Sequence, residues 1–300
     1  MRFKIFTDTP KGNVAYLFLA PAMTAIFVFF FLPVLAALLM SFTDFDIYSL
    51  GDVSRARFVG FANYINIFQK PLFWQAIRNT AFFVVVGVPL SVVVSLLAAM
   101  GIQSKLIRFK PLFRLSYFIP VVATLVAVAV IWRFIYHPRF GILNYILGWF
   151  GIQTIDWLGN PKWAMPALII MAVWKGFGYN MIIFIAGLQN IPESLYEAAD
   201  LDGANARQTF RHITLPMLTQ TTGFITLTTL IGYCQFFAEP YIMTNGGPLN
   251  STLSIVLLMY REGFKYWRMG YSAALAFILF GIILIVTLIQ MRFQRNYELL

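Results

Sequence analysis

The chain has 300 residues, 60% of them hydrophobic and 11% charged. Soluble domains carry about a quarter charged residues, so this balance excludes an ordinary soluble globular protein and argues for one whose surface meets lipid. The net charge of +10 does not point to nucleic acid, because the bases are scattered through short connecting segments, where they act as membrane-topology signals. A single cysteine, Cys234, excludes an intrachain disulfide framework and a Cys-based metal site.

The first apolar run, about 14–42, is too long for the ~7–15 residues of a signal-peptide core and is predicted to be a retained transmembrane helix. A membrane helix needs ~20 mostly apolar residues. Six stretches qualify: about 14–42, 78–102, 112–136, 163–188, 217–238 and 270–291. The expected fold is therefore all-α, a polytopic membrane protein with one transmembrane domain over 14–293, between an N-terminal segment 1–13 and a tail 294–300. Prolines 33, 89 and 120 fall inside spans, where neighbouring helices can satisfy the freed carbonyls.

Lys and Arg divide almost evenly between the two sides, so their density in short loops decides the orientation. The 103–114 turn gathers Lys105, Arg108, Lys110 and Arg114 without an acid, whereas the 43–77 loop mixes its bases with Asp44, Asp46 and Asp52. The 103–114 turn and both termini are expected on the cytoplasmic side.

The segment "EAADLDGANARQTFRHITLP", 197–216, is a polar insert between the fourth and fifth spans, and so cytoplasmic. Pro192 can open a helix in its first turn. Leu195, Ala198, Ala199 and Asp202 fall on one side of that helix, with Glu193, Glu197 and Asp200 on another. Gly203 can bend the chain, and a second short helix carries Ala206, Phe210 and Ile213 before Leu215 and Pro216 open the next span. From these faces alone, an interfacial loop without a partner and a docking element fit equally well.

Polar residues within spans tend to face a cavity or the bundle interior. In the fourth span Ala172, Lys175, Gly176 and Tyr179 share a helical face; in the fifth, Thr222, Thr226, Thr229 and Tyr233 form a stripe. Hydroxyls and aromatic faces suit a polyol. The competing role for each threonine is a bond to the preceding turn's carbonyl, and for the tyrosines it is packing. Lys175 needs a partner near mid-membrane, either Glu239 or an anionic substrate. Arg133 and His137 mark the outer end of the third span, and "TNGGP" at 244–248 is a turn. No carboxylate sits mid-span and no internal repeat is evident, which disfavours a secondary transporter. His137 and His212, the only histidines, fall on opposite sides of the membrane, so neither a metal site nor an acid–base site is expected, and no catalytic residue is assigned.

The spacing of Glu197-Ala198-Ala199, Gly203, Ile213, Leu215 and Pro216 fits without a gap. It closely resembles the EAA loop of permease subunits in binding-protein-dependent ABC importers. Further stretches are similar to the carbohydrate branch of that family: "VGFANYINIF" (59–68), "NTAFF" (79–83), 119–144, "LQNIPESLYEAADLDGA" (188–204) and "MTNGGP" (243–248). The resemblance implies that these loop residues couple the spans to a cytoplasmic ATPase, and that Ala172, Lys175, Gly176, Tyr179, Thr226, Thr229 and Tyr233 belong to the stretches that form the translocation cavity. It implies two ATPase subunits, a second permease that is a different chain, an extracytoplasmic solute-binding protein and a sugar-type substrate. A phosphorylated or other non-sugar solute is the alternative cargo. The setting would be the cytoplasmic membrane of a bacterium or archaeon. The chain carries no G-x-x-x-x-G-K-[ST] phosphate loop, so ATP and Mg are expected on the partner ATPase, with no cofactor in this chain.

Overall fold

The computed structural model describes residues 12–104 and 107–298. Most of the N-terminal segment 1–13, Lys105 of the basic turn, and the last two residues of the tail 294–300 lie outside the described residues.

Helix α1 (Gly12–Ile26) passes through a π turn, Phe27–Phe31, into α2 (Leu32–Ser41). Pro33 has no N–H to give, and the Leu32 N–H reaches back to Phe27 O, so the ladder shifts by one residue before the proline. The short α3 (Ile47–Gly51) is started by Asp46, whose carboxylate accepts the Tyr48 and Ser49 N–H groups. Next come α4 (Ala62–Gln69) and the 33-residue α5 (Pro71–Gln103). Helices α6 (Lys110–Val122) and α7 (Leu125–Ile135) meet at 99°. Ala123 and Thr124 are extended there, and Thr124 Oγ1 accepts the Ala127 N–H to start α7. The expected continuous third span is thus a broken pair: with Pro120 inside α6 and a side-chain cap available at Thr124, the chain stops one helix and begins another.

Helix α8 (Ile142–Trp149) precedes α9 (Pro161–Gln189), which Asn160 caps through the Lys162 N–H at 2.9 Å. The polar insert holds α10 (Glu193–Leu201), α11 (Ala206–Thr209), a π turn Phe210–Thr214 and the single turn α12 (Leu215–Met217). Then follow α13 (Thr219–Cys234), α14 (Ala238–Met243), α15 (Ile255–Tyr260) and α16 (Met269–Glu298). Among the described residues, four helices are long and apolar enough to cross a membrane, and five if the α6–α7 pair counts as one span. The expected fifth span, α13, has 16 residues, about 24 Å at 1.5 Å per residue. It is short because the helix is interrupted at Leu218, where ψ is 1°.

One compact unit comprises residues up to 67 together with 261–277. Asn63 Nδ2 donates to Ser41 O and Thr43 O at 2.9 and 2.8 Å, fixing α4 under the end of α2. The Gly270 N–H donates to Phe45 O at 3.0 Å, and Glu262 pairs with Arg268 at 3.3 Å.

The second unit holds 68–260 and the rest of α16. Its axis is the pairing of α5 with α9, flanked by α13 on one side and by α6 on another. One apolar cluster gathers Phe83, Leu168, Met171, Trp157 and Phe236; Phe83 and Phe236 stack at 4.0 Å. A second cluster gathers Ala99, Met181, Phe184, Leu218 and Ile225. Burial of such side chains contributes about 25 cal/mol per Å² when it is water that they leave. Between helices in lipid, close packing and interhelical hydrogen bonds carry more of the stability.

Candidate functional site

The polar insert folds into a hairpin with an exposed tip and an anchored root. Pro192 is the residue before α10 rather than its first residue, with ψ at 131°, and Glu193 places its charge in the positive first turn. At the far end Gly203 has φ +73°. The Gly203 N–H donates to Asp200 O at 3.1 Å and the Ala204 N–H to Ala199 O at 2.9 Å, a left-handed helix closure that suits glycine. Asn205 then starts α11 by a reciprocal pair: its Oδ1 accepts the Gln208 N–H, and Gln208 Oε1 accepts the Asn205 N–H. The root is held by Ile191 and Leu218, both buried, and by partly buried Tyr196 and Ile213. The Tyr196 hydroxyl meets Thr214 Oγ1 at 3.1 Å.

Of the residues singled out in the loop, Glu197, Ala198, Gly203, Leu215 and Pro216 are exposed, Ile213 is half-buried and Ala199 is buried. Leu201 lies on the same tip and is 90% exposed. Periodicity did not select it, yet an apolar residue between Asp200 and Asp202 was a visible signal.

The residues picked out on α9 and α13 fall in several environments. Ala172 is buried in the first apolar cluster, Gly176 is half-buried, and Tyr179 is 51% exposed. Lys175 Nζ donates to Val121 O at 3.3 Å. The α6–α7 break leaves carbonyls of the last α6 turn unpaired, and a cation at a helix C-terminus is favourable. No ion pair joins Lys175 to Glu239 among the described residues. Thr226 Oγ1 donates to Thr222 O at 2.7 Å, the local bond that competes with a ligand-facing role.

Thr229 differs. Its Oγ1 accepts from Asn180 Nδ2 at 3.0 Å, and Asn180 Nδ2 also donates to Ser91 Oγ at 3.3 Å. Ser95 Oγ donates to Ser91 O at 2.6 Å and lies 3.1 Å from Phe177 O. Asn180 thus joins α5, α9 and α13 in one buried polar seam. Tyr233 completes it: its phenol oxygen is buried near Ser91 without a hydrogen bond of good geometry. The Tyr233 ring packs on Phe83 and lies over Gly87, where a Cβ would sit 2.8 Å from the ring. Asn180, Ser91 and Ser95 were not selected from the sequence, although the serines stand four apart in a valine-rich run.

Among the described residues, apolar helices long enough to cross a membrane, a buried polar seam joining α5, α9 and α13, and a helix–turn–helix between α9 and α13 together define a polytopic helical membrane protein. The chain belongs to the family of binding-protein-dependent transport system inner membrane components, which it matches over residues 87–298. It is 35% identical to the arabinooligosaccharides transport system permease protein AraP of Bacillus subtilis, over 96% of this chain and 90% of that one. It is 36% identical to the lactose transport system permease protein LacF of Rhizobium radiobacter, over 92% of each. Its fold matches a chain in the crystal structure of a bacterial ABC transporter that imports the acidic polysaccharide alginate, with a TM-score of 0.77, 22% identity, and 95% and 96% of the two chains covered.

Proposed function

We propose that the chain is one permease subunit of an ATP-driven importer for a sugar or related polyol, with six spans and both termini in the cytoplasm of a bacterium or archaeon. The observation that carries this reading is the 197–216 hairpin, exposed at Glu197, Ala198, Leu201 and Gly203 and rooted in the bundle through Tyr196, Ile213 and Leu218. A rigid root transmits a push at the tip to α9 and α13. Two ATPase subunits would hold ATP and Mg and seat these tips, a second and different permease chain would complete the pathway, and an extracytoplasmic binding protein would deliver the solute. No step of ATP chemistry falls to this chain.

Relatives whose names specify oligosaccharide and lactose transport favour a sugar. A relative named for sn-glycerol-3-phosphate transport, 33% identical, keeps a phosphorylated solute as the second reading. Lys175 gives one ammonium proton to Val121 O and keeps two for an anionic group, which supports this second reading.

The test is uptake by the reconstituted complex of lactose and arabino-oligosaccharides. Uptake is expected to require ATP and to fall about five- to thirtyfold in Gly203→Val, while the variant subunit still co-purifies with its ATPase, because a β-branched residue disfavours the +73° φ by about 1–2 kcal/mol. Uptake driven by an ion gradient through this chain alone would overturn the reading.

A further inference from the structure

A cavity of about 750 Å³ opens where the C-terminal turn of α7, the segment leading into α9 and the end of α14 converge. It does not include the seam residues Asn180, Ser91 or Thr229. In the orientation proposed above, on which this inference rests, it faces the outer side. Its volume lies within the ~300–1,000 Å³ typical of small-molecule sites.

The side chains around it are chemically mixed. Arg133 lines one wall, and its guanidinium makes no ion pair or hydrogen bond among the described residues. His137 stands one turn on. Its Nδ1 accepts the Arg139 N–H at 3.2 Å, and its ring stacks on Phe140 with centroids at 3.4 Å. That bond places the proton of the neutral imidazole on Nε2, which is then a donor. Asp156 lines the cavity from the α9 side. Its Oδ1 accepts the Gly159 N–H at 2.9 Å, which leaves its other oxygen as an acceptor. Phe134, 62% exposed, adds an apolar face.

Donors and an acceptor thus share one cavity without satisfying each other. A simple anion would use Arg133 and be repelled by Asp156; a simple cation would meet the reverse. A hydroxyl both accepts and donates, and a sugar ring presents several in fixed positions beside an apolar C–H face.

We propose that this cavity is a separate carbohydrate-binding station, in which Arg133 and His137 donate to, and Asp156 accepts from, the hydroxyls of a glycosyl unit on its way to the mid-bundle seam. The rival occupant, a loop of the binding protein, is an outcome of the test.

Val130→Cys places a thiol in the cavity wall, and the native Cys234 is buried. The permease–ATPase complex carrying this change is labelled in nanodiscs with a membrane-impermeant maleimide. Lactose and methyl β-D-glucopyranoside are the probes, with ethylene glycol at matched hydroxyl concentration as control. Each sugar is expected to slow labelling at least about fivefold, close to 1 kcal/mol, and the glycol is not. Arg133→Gln and Asp156→Asn should each abolish protection, and Arg133→Lys should keep part of it. Co-purification with the ATPase confirms that each variant is folded. The proposal is overturned if neither sugar protects, if protection survives both Arg133→Gln and Asp156→Asn, or if the binding protein protects and the sugars do not. ATP-driven uptake is measured in parallel. A complex that transports but shows no protection sinks the outer station alone; protection without ATP-driven uptake sinks the importer reading and leaves the station.

Discussion

Asn180 is the residue whose replacement should tell most about the bundle. Its side chain is 5% exposed and gives two interhelical hydrogen bonds, at 3.0 Å to Thr229 and 3.3 Å to Ser91. Interhelical bonds in membranes average about 0.6 kcal/mol and reach about 1.7. Asn180→Leu keeps the approximate volume and removes both, so a loss of about 1–3 kcal/mol is expected. The hydroxyls left behind limit the loss, because Thr229 and Ser91 can turn to carbonyls of their own helices, as Thr226 and Thr228 already do. Asn180→Asp should be worse, since a charge at a helix centre costs about 2.5–3.5 kcal/mol on insertion scales. The assay is denaturation of the purified subunit for Asn180→Leu, Thr229→Val and the double variant. The double loss should fall short of the sum of the singles by at least about 0.5 kcal/mol. If Asn180→Leu destabilises the Thr229→Val background as much as the parent, the bond contributes nothing and the reasoning fails.

Leu201, 90% exposed at the hairpin tip, should be replaceable by Ser with a stability change within about 0.5 kcal/mol, while retention of the ATPase on co-purification drops about tenfold. A lower denaturation midpoint would mean that Leu201 is packed within the subunit instead. The Asp46 carboxyl is held below its ordinary value, chiefly by the Ser49 N–H, with help from the Ser49 hydroxyl and the Tyr48 N–H. A depressed value means that the cap is present above the ordinary carboxylate range and is lost as pH falls through the lower folded-state value. Amide exchange at Tyr48 and Ser49 should therefore rise on acidification beyond the usual acid catalysis, and Asp46→Ala should show the raised exchange at neutral pH. Equal pH profiles for parent and variant would refute this.

The long helices were legible because an apolar run of span length has few other uses, and the hairpin was legible because charge has no place in such a chain unless it leaves the membrane. Gly203 and Ala199 then fell where the residue spacing put them, in a closure that only the backbone could display. What stayed hidden depends on pairs. The break after Val122 is invisible in "VVATLV", since each residue tolerates a helix and only the Thr124 cap and the α6–α7 angle reveal the choice. Asn180 escaped because helical periodicity was read outward from Lys175, and a residue next to Tyr179 lies about 100° around the helix from it. The periodic face therefore selected Tyr179, half exposed, and passed over the buried neighbour that bonds two other helices. Periodicity ranks faces by their average polarity, whereas a membrane bundle depends on single polar atoms that find partners on other helices. Thr226 and Thr229 make the point within one helix. They share a residue type and a stripe, yet one hydroxyl is spent on its own backbone and the other receives Asn180. A polar residue in such a chain acquires a role only through its partner. At the seam of Asn180 and in the cavity of Asp156, neither of which the sequence reading singled out, geometry had to supply both the residues and their chemistry.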